Sequence, residues 1–178
     1  MNMVPIALNV FNASDQSMSV LSKGDTPHVL AWINWTDPAE IASQDGSFEA
    51  HGVLDALDAA RAAFVSFGRV GGMYVEPTRA LIAVDVNTGS DISLAAGLKA
   101  NMTCAGMLPT ALRVRGLAGQ ITLDLAPMPK KDRRTFENAL RAAFRADDIE
   151  TALVGWTPLG HYELQRKRAR LPLFEVLE

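Results

Sequence analysis

Apolar residues in this chain follow two rhythms, and the points where one replaces the other outline its elements. After the turn signal "SQDGS" (43–47), Val53, Leu54, Leu57, Ala60 and Phe64 recur at helical spacing, which predicts an amphipathic helix over "FEAHGVLDALDAARAAF". The rhythm then shortens to two. "GGMYVE" (71–76) and "RALIAVDVN" (79–87) read as strands joined by the tight "EPTR" segment, a hairpin. From about Ser93 the positions Leu94, Leu98, Met102, Ala105 and Leu108 mark a second helix, which Pro109 is expected to end or kink before "ALRVRGLAG". "QITLDLA" (120–126) is a strand, and Phe136, Leu140 and Phe144 at i, i+4 and i+8 define a further helix. "ETALVGW" and "GHYELQRKR" read as short closing strands.

The order β-β-α-β-α-β-β predicts an α/β fold, a mixed sheet with helices packed on it, in one compact domain over residues 47–178. Residues 1–46 form a poorly defined segment in which "VLAWINW" (29–35) is the convincing strand and "NASDQS" and "SKGDTP" are loops. No internal repeat and no low-complexity tract is present.

Two of the predicted strands carry an aspartate among apolar residues, Asp85 in "LIAVDVN" and Asp124 in "ITLDLA". Carboxylates are among the groups least tolerated in a core. Alternation along a strand puts Leu81, Ala83, Asp85 and Asn87 on one side and Ile82, Val84 and Val86 on the other. Asp85 and Asn87 are then about 6.6 Å apart on one face, where "NTG" turns the chain outward. In the second strand Ile121, Leu123 and Leu125 oppose Thr122 and Asp124. If the intervening helix is a crossover, the strands run parallel and both carboxylates reach the same end of the sheet.

At roughly 4 to 5 Å their repulsion amounts to several kcal/mol in a partly shielded site. Either one acid holds its proton or a cation sits between them. Two carboxylates and an amide oxygen suit Mg²⁺, which keeps waters and completes its shell with phosphate. The alternative is local: Asp124 caps a turn and Asp85 makes an Asx-turn with the "NTG" backbone.

Composition narrows the setting. At 178 residues and 48% hydrophobic the chain is ordinary globular material, and its single cysteine, Cys104, excludes an internal disulfide or a multi-thiolate metal site. The N-terminal stretch lacks a basic region and a long enough apolar run for a signal peptide, and no stretch reaches the roughly 20 apolar residues of a membrane span. A cytoplasmic protein is expected. The net charge of −3 hides an asymmetry, with five Lys/Arg against eleven Asp/Glu in residues 1–108 but twelve against seven in 109–170. A basic half suggests a local anionic partner such as phosphate, while solvated helix faces would account for it equally.

The segments "GGMYVEPTRALIAVDVNTG", "GLKAN", "ALRVRGLAGQITLDLAPM" and "VGWTPLGHYELQRKR", in this order, resemble the catalytic region of the RNase E/G family of bacterial endoribonucleases. The resemblance covers about residues 48–172 and is to the DNase I-like subdomain that holds the catalytic metal. It implies Asp85 and Asp124 as Mg²⁺ ligands, Asn87 as the residue positioning the attacking water or the scissile phosphate, and single-stranded RNA cut to 5′-phosphate and 3′-hydroxyl ends. It also implies RNA contacts from the basic residues of its motifs, and "QRKR" best among them.

Departures accompany the likeness. Family members usually carry a second acidic residue three positions beyond the second ligand, where this chain has Pro127. The Cys-x-x-Cys zinc link that joins protomers has no counterpart, so that an oligomer would need other contacts. About 47 upstream residues have no room for the OB-fold module or the 5′-phosphate pocket, although they could be a remnant of the RNase H-like part. Part of a longer protein, a minimal nuclease, and a relative acting as an RNA-binding or scaffold domain without catalysis all fit.

Candidate RNA contacts are Arg113 and Arg115 ahead of the second Asp-bearing strand, Lys130 and Lys131 just past it, and Arg166, Lys167 and Arg168 in the tail, with solvated surface as the competing account of each. Trp32 and Trp35 read as core rather than a base-stacking platform. His28, His51 and His161 show no metal spacing and no nucleophile partner. Cys104 reads as a buried small hydrophobe.

Overall fold

The structure, a computed structural model, describes residues 44–176. The expected strand at 29–35, with Trp32, Trp35 and His28, lies outside the described residues. The chain divides into two compact units at Ala59/Ala60.

The described part of the first unit contains α1 (Ser47–Ala50) and most of α2 (Val53–Arg61). One continuous helix was expected here. Gly52, at φ 65°, turns the backbone out of the helical region and separates the two. The second helix also stops early, because the chain beyond Arg61 is drawn into sheet pairing. The Val75 amide donates to the Ala63 carbonyl, and Phe64–Ser66 forms an edge strand, β1. Phe64, expected on the apolar stripe of a helix, is therefore a strand residue and exposed.

The second unit is a six-stranded mixed sheet in the order β1-β2-β3-β4-β6-β5, with β2 Gly72–Pro77, β3 Ile82–Asn87, β4 Gly119–Asp124, β5 Thr151–Trp156 and β6 Tyr162–Arg166. This is the α/β class expected, and the hairpin β2–β3 is where "EPTR" placed it. Thr78 closes that turn, its hydroxyl donating to the Leu81 carbonyl at 2.7 Å. Among the described residues all pairings are antiparallel except β3 with β4, which are joined by the long helix α3 (Leu94–Arg115).

Helix α3 begins at Ser93, whose hydroxyl accepts from the Ala96 amide at 3.1 Å. It passes straight through Pro109 and ends where Gly116 adopts φ 65°. Proline in a helix interior removes a donor and costs about 3 kcal/mol. Buried Leu108, Pro109, Ala111 and Leu112 continue the apolar stripe past it, so packing carries the helix across the defect.

After a 3₁₀ turn at Lys130–Asp132, α4 (Arg133–Arg145) buries Phe136, Leu140 and Phe144, as their spacing predicted. A short α5 (Leu173–Val176) follows the sheet. Helix α3 packs on α4 and on β2 and β3. The core gathers Met73, Val75, Val84, Ile121, Leu123 and Leu164 from one face of the sheet against Cys104, Leu108, Leu112, Phe136 and Leu140 from the helices. Among the described residues the opposite face is the open one: Tyr74, Glu76, Asp85, Asn87, Gln120, Asp124 and Gln165 are all exposed there.

Candidate functional site

Parallel pairing sets Asp85 directly opposite Asp124, and both lie on the open face at the carboxyl end of their strands. Adjacent strands are about 4.8 Å apart, so the two carboxylates are next-door neighbours. This answers why a core strand tolerates each: the helices cover the faces made by Ile82, Val84 and Val86 and by Ile121 and Leu123, and the aspartates point the other way. Among the described residues, neither has a Lys or Arg within 4.0 Å.

Asn87 stands two residues on from Asp85 and on the same face. Its Nδ2 donates to Asp85 Oδ2 at 2.7 Å, which fixes the carboxylate's orientation.

Asp124 is held from below by residues that no periodicity singled out. Asn101, fully buried in α3, clamps the backbone two residues past Asp124: its Nδ2 donates to the Ala126 carbonyl at 2.8 Å, and the Ala126 amide donates to its Oδ1 at 3.0 Å. Four residues earlier on the same helix, Gly97 lets the Pro127 carbonyl approach so closely that any side chain would collide with it. The "GLKAN" segment thus seats the loop after β4 onto the helix.

His161 is a second residue that sequence reasoning passed over. It lies between the Thr157–Gly160 turn and β6, where its amide donates to Thr157 Oγ1 at 3.1 Å. That seating brings its Nδ1 to 3.4 Å from Asp124 Oδ1. The alignment is too poor for a hydrogen bond, so this shielded ring nitrogen faces the carboxylate without one. Only the register of a hairpin formed 37 residues after Asp124 places it there, and no local spacing announces it.

The basic residues divide into two groups. Arg113 is paired with Asp147 at 3.2 Å; it and Arg115 lie on the last turn of α3, not on an extended segment leading to β4. Arg115 donates to the Ala111 and Ala62 carbonyls at 3.2 and 3.0 Å, and burial lowers its pKa. Arg166 is buried, with Nη2 3.0 Å from Asp147 Oδ1 and Nη1 2.8 Å from Thr151 Oγ1. These three cations, expected to meet RNA, have partners within the protein: Arg115 and Arg166 are buried, and the buried carboxylate of Asp147 serves Arg166 and the partly exposed Arg113 together. Lys130, Lys167 and Arg168 are exposed, as is Lys131.

Among the described residues, no three His, Cys, Asp or Glu side chains gather into a ready-made metal cage. Two exposed carboxylates suit a hard cation that retains water and takes further ligands from a substrate phosphate. Asp85 and Asp124 fit that description as donors; the amide of Asn87 is turned toward Asp85. No helix among the described residues is long and apolar enough to cross a membrane.

Comparison with known proteins gives the chain's family. The Ribonuclease G of Salmonella typhimurium (strain SL1344) is 31% identical over 112 residues, 60% of this chain and 23% of that protein. The Ribonuclease G of Haemophilus influenzae is 30% identical over 135 residues, 73% and 28% of the two. A Ribonuclease E of Nostoc sp. is 33% identical over 111 residues, 60% and 16%. The chain therefore spans well under a third of the length of these relatives. Residues 6–169 match the Ribonuclease E/G family, and the chain belongs to that family.

Proposed function

We propose that this chain carries the catalytic centre of a Mg²⁺-dependent endoribonuclease that cuts single-stranded RNA to leave 5′-phosphate and 3′-hydroxyl ends. The observation that carries the reading is the in-register placement of Asp85 and Asp124 on adjacent parallel strands, on the uncovered face of the sheet. Asp85 and Asp124 would hold the ion. A bound Mg²⁺ supplies neutralisation of phosphate charge and a water of lowered pKa.

The remaining work belongs to the chain's own side chains. Asn87 holds the Asp85 carboxylate and stands beside it to orient a phosphate oxygen or water. Asn101 and Gly97 keep Asp124 at its height on the sheet. Lys130, Lys131, Lys167 and Arg168 attract the RNA backbone, each neutralised phosphate adding salt-dependent affinity.

Asp85→Asn tests the reading. Metal-dependent cleavage and Mn²⁺ uptake should both be lost, while thermal stability is unchanged or raised, because one of two repelling carboxylates is gone. An Asp85→Asn protein that cleaves at the wild-type rate would sink it, and one that fails to fold would reveal a structural role instead.

One observation favours a second reading, an RNA-binding or scaffold domain without catalysis. Pro127 occupies the place where the resemblance leads one to expect a further acid. RNA binding with a steep salt dependence, and no product at high protein and Mg²⁺ concentrations, would select it.

A further inference from the structure

The register of the sheet writes a single row across four strands of the open face: Phe64 on β1 opposite Tyr74 on β2, Tyr74 opposite Asp85 on β3, and Asp85 opposite Asp124 on β4. The aromatic half of that row is as exposed as the acidic half. Phe64 and Tyr74 keep 44% and 42% of their surface in solvent, although both are large and β1 is an edge strand. Their rings lie 5.0 Å apart at an interplanar angle of 50°.

The backbone makes room for this pair. Gly72, one pleat along from Tyr74 on the same face, lies under the tip of the Phe64 ring, and a side chain at Gly72 would run into that ring. The bare glycine lets the Phe64 ring settle over β2, against Tyr74, instead of projecting from the edge. Two seated aromatic surfaces thus begin roughly 5 Å, one strand spacing, from a catalytic carboxylate and extend away from it.

We infer that Tyr74 and Phe64 form a stacking platform for the base of a nucleotide next to the scissile phosphate. This rests on the ribonuclease reading of Asp85 and Asp124 and adds to it how the site grips an unpaired strand. Bases present a π-face whatever their identity, so an aromatic platform binds single strands with little sequence preference and excludes duplexes, whose bases are already stacked. The continuity of the row with the two carboxylates selects RNA as occupant over a protein surface: a phosphate at the acids leaves its own base one strand spacing away, over Tyr74.

The test uses the full chain and a fluorescein-labelled single-stranded RNA decamer, with binding read by stopped-flow anisotropy in Mg²⁺ before product accumulates. Tyr74→Ala should weaken binding by about tenfold or more, and Tyr74→Trp should retain it. Phe64→Leu, which keeps apolar volume but removes the ring, should weaken it too, with an unchanged circular dichroism spectrum. Decamers lacking one base should show a position whose removal costs the wild type the same factor and costs Tyr74→Ala nothing further.

Binding by Tyr74→Ala within twofold of wild type overturns the platform, and so does a wild type found to sediment as a dimer whose Tyr74→Ala variant is a monomer with RNA affinity intact. Calorimetric Mn²⁺ titration of the wild type separates the two readings. Metal uptake with RNA affinity indifferent to Tyr74 removes the platform and leaves the metal centre. Loss of RNA affinity in Tyr74→Ala without any metal uptake by the wild type supports the platform and removes the centre.

Discussion

Replacing Asn101 with alanine should damage the site from a distance that its exposed residues do not suggest. Asn101 is completely buried and makes a two-way clamp on Ala126, donating at 2.8 Å and accepting at 3.0 Å. Truncation leaves the Ala126 amide and carbonyl without these partners under the helix. An unsatisfied buried backbone group costs about 1–3 kcal/mol, and the lost packing adds to it, so a loss of about 3 kcal/mol is expected. For a chain of this length that lowers the melting temperature by about 6–12 °C.

Urea denaturation followed by far-ultraviolet circular dichroism measures the loss, and cleavage measured well below the transition separates it from function. Because the clamp sits two residues beyond Asp124, the rate should fall even where the variant is fully folded. Asp in place of Asn101 supplies an internal control. It keeps an acceptor for the Ala126 amide but sets a carboxylate oxygen against the Ala126 carbonyl. A buried acid of this kind has its pKa raised, so the variant's stability relative to wild type should recover as pH falls and the protonated acid regains a donor. An Asn101→Ala protein within about 0.5 kcal/mol of wild type, a difference typical of surface substitutions, and cleaving normally would refute the clamp.

Other expectations follow from the same interactions. Asp147→Ala strips the shared partner from buried Arg166 and from Arg113, and should cost about 3–5 kcal/mol in chemical denaturation. Burial pushes the Cys104 thiol up from 9.0 to about 12, so the folded protein keeps a proton that the unfolded chain loses in that window. Stability should therefore decline by about 1.4 kcal/mol per pH unit above about pH 9 on account of this thiol, and Cys104→Ala should flatten that part of the alkaline limb in a comparison of the two proteins. Changing Lys130, Lys131, Lys167 or Arg168 to alanine should reduce the slope of log affinity for single-stranded RNA against log salt by about 0.7 for each phosphate no longer neutralised, whereas a slope unchanged from wild type in all four variants would remove them from the interface.

The strands and the acids were legible because their signal is local. "LIAVDVN" and "ITLDLA" alternate, and alternation alone puts Asp85 with Asn87 and Asp124 with Thr122. The crossover between them followed from one helical stretch. What escaped were features decided by partners far away in sequence. Pro109 argued for a break, and the buried stripe of Leu108 and Leu112 overrode it. Phe64 fitted a helical spacing but was claimed by pairing with Tyr74. Arg113, Arg115 and Arg166 carried the same charge as Lys167 and Arg168, and nothing in their immediate neighbours told which would turn inward to Asp147 or the Ala62 carbonyl. His161 and Asn101 needed the register of the hairpin and the seat of the helix before their roles existed.

The lone parallel pairing in the sheet has a consequence for when the site comes into being. Hairpins β2–β3 and β5–β6 close through short turns and form early, but β3 and β4 can meet only after the chain has wound 22 residues of α3 and returned. Asp85 and Asp124 contribute nothing together until that return is complete. A nascent or partly melted chain therefore holds its acids apart, and the two carboxylates become neighbours as one of the last products of the chain's own assembly.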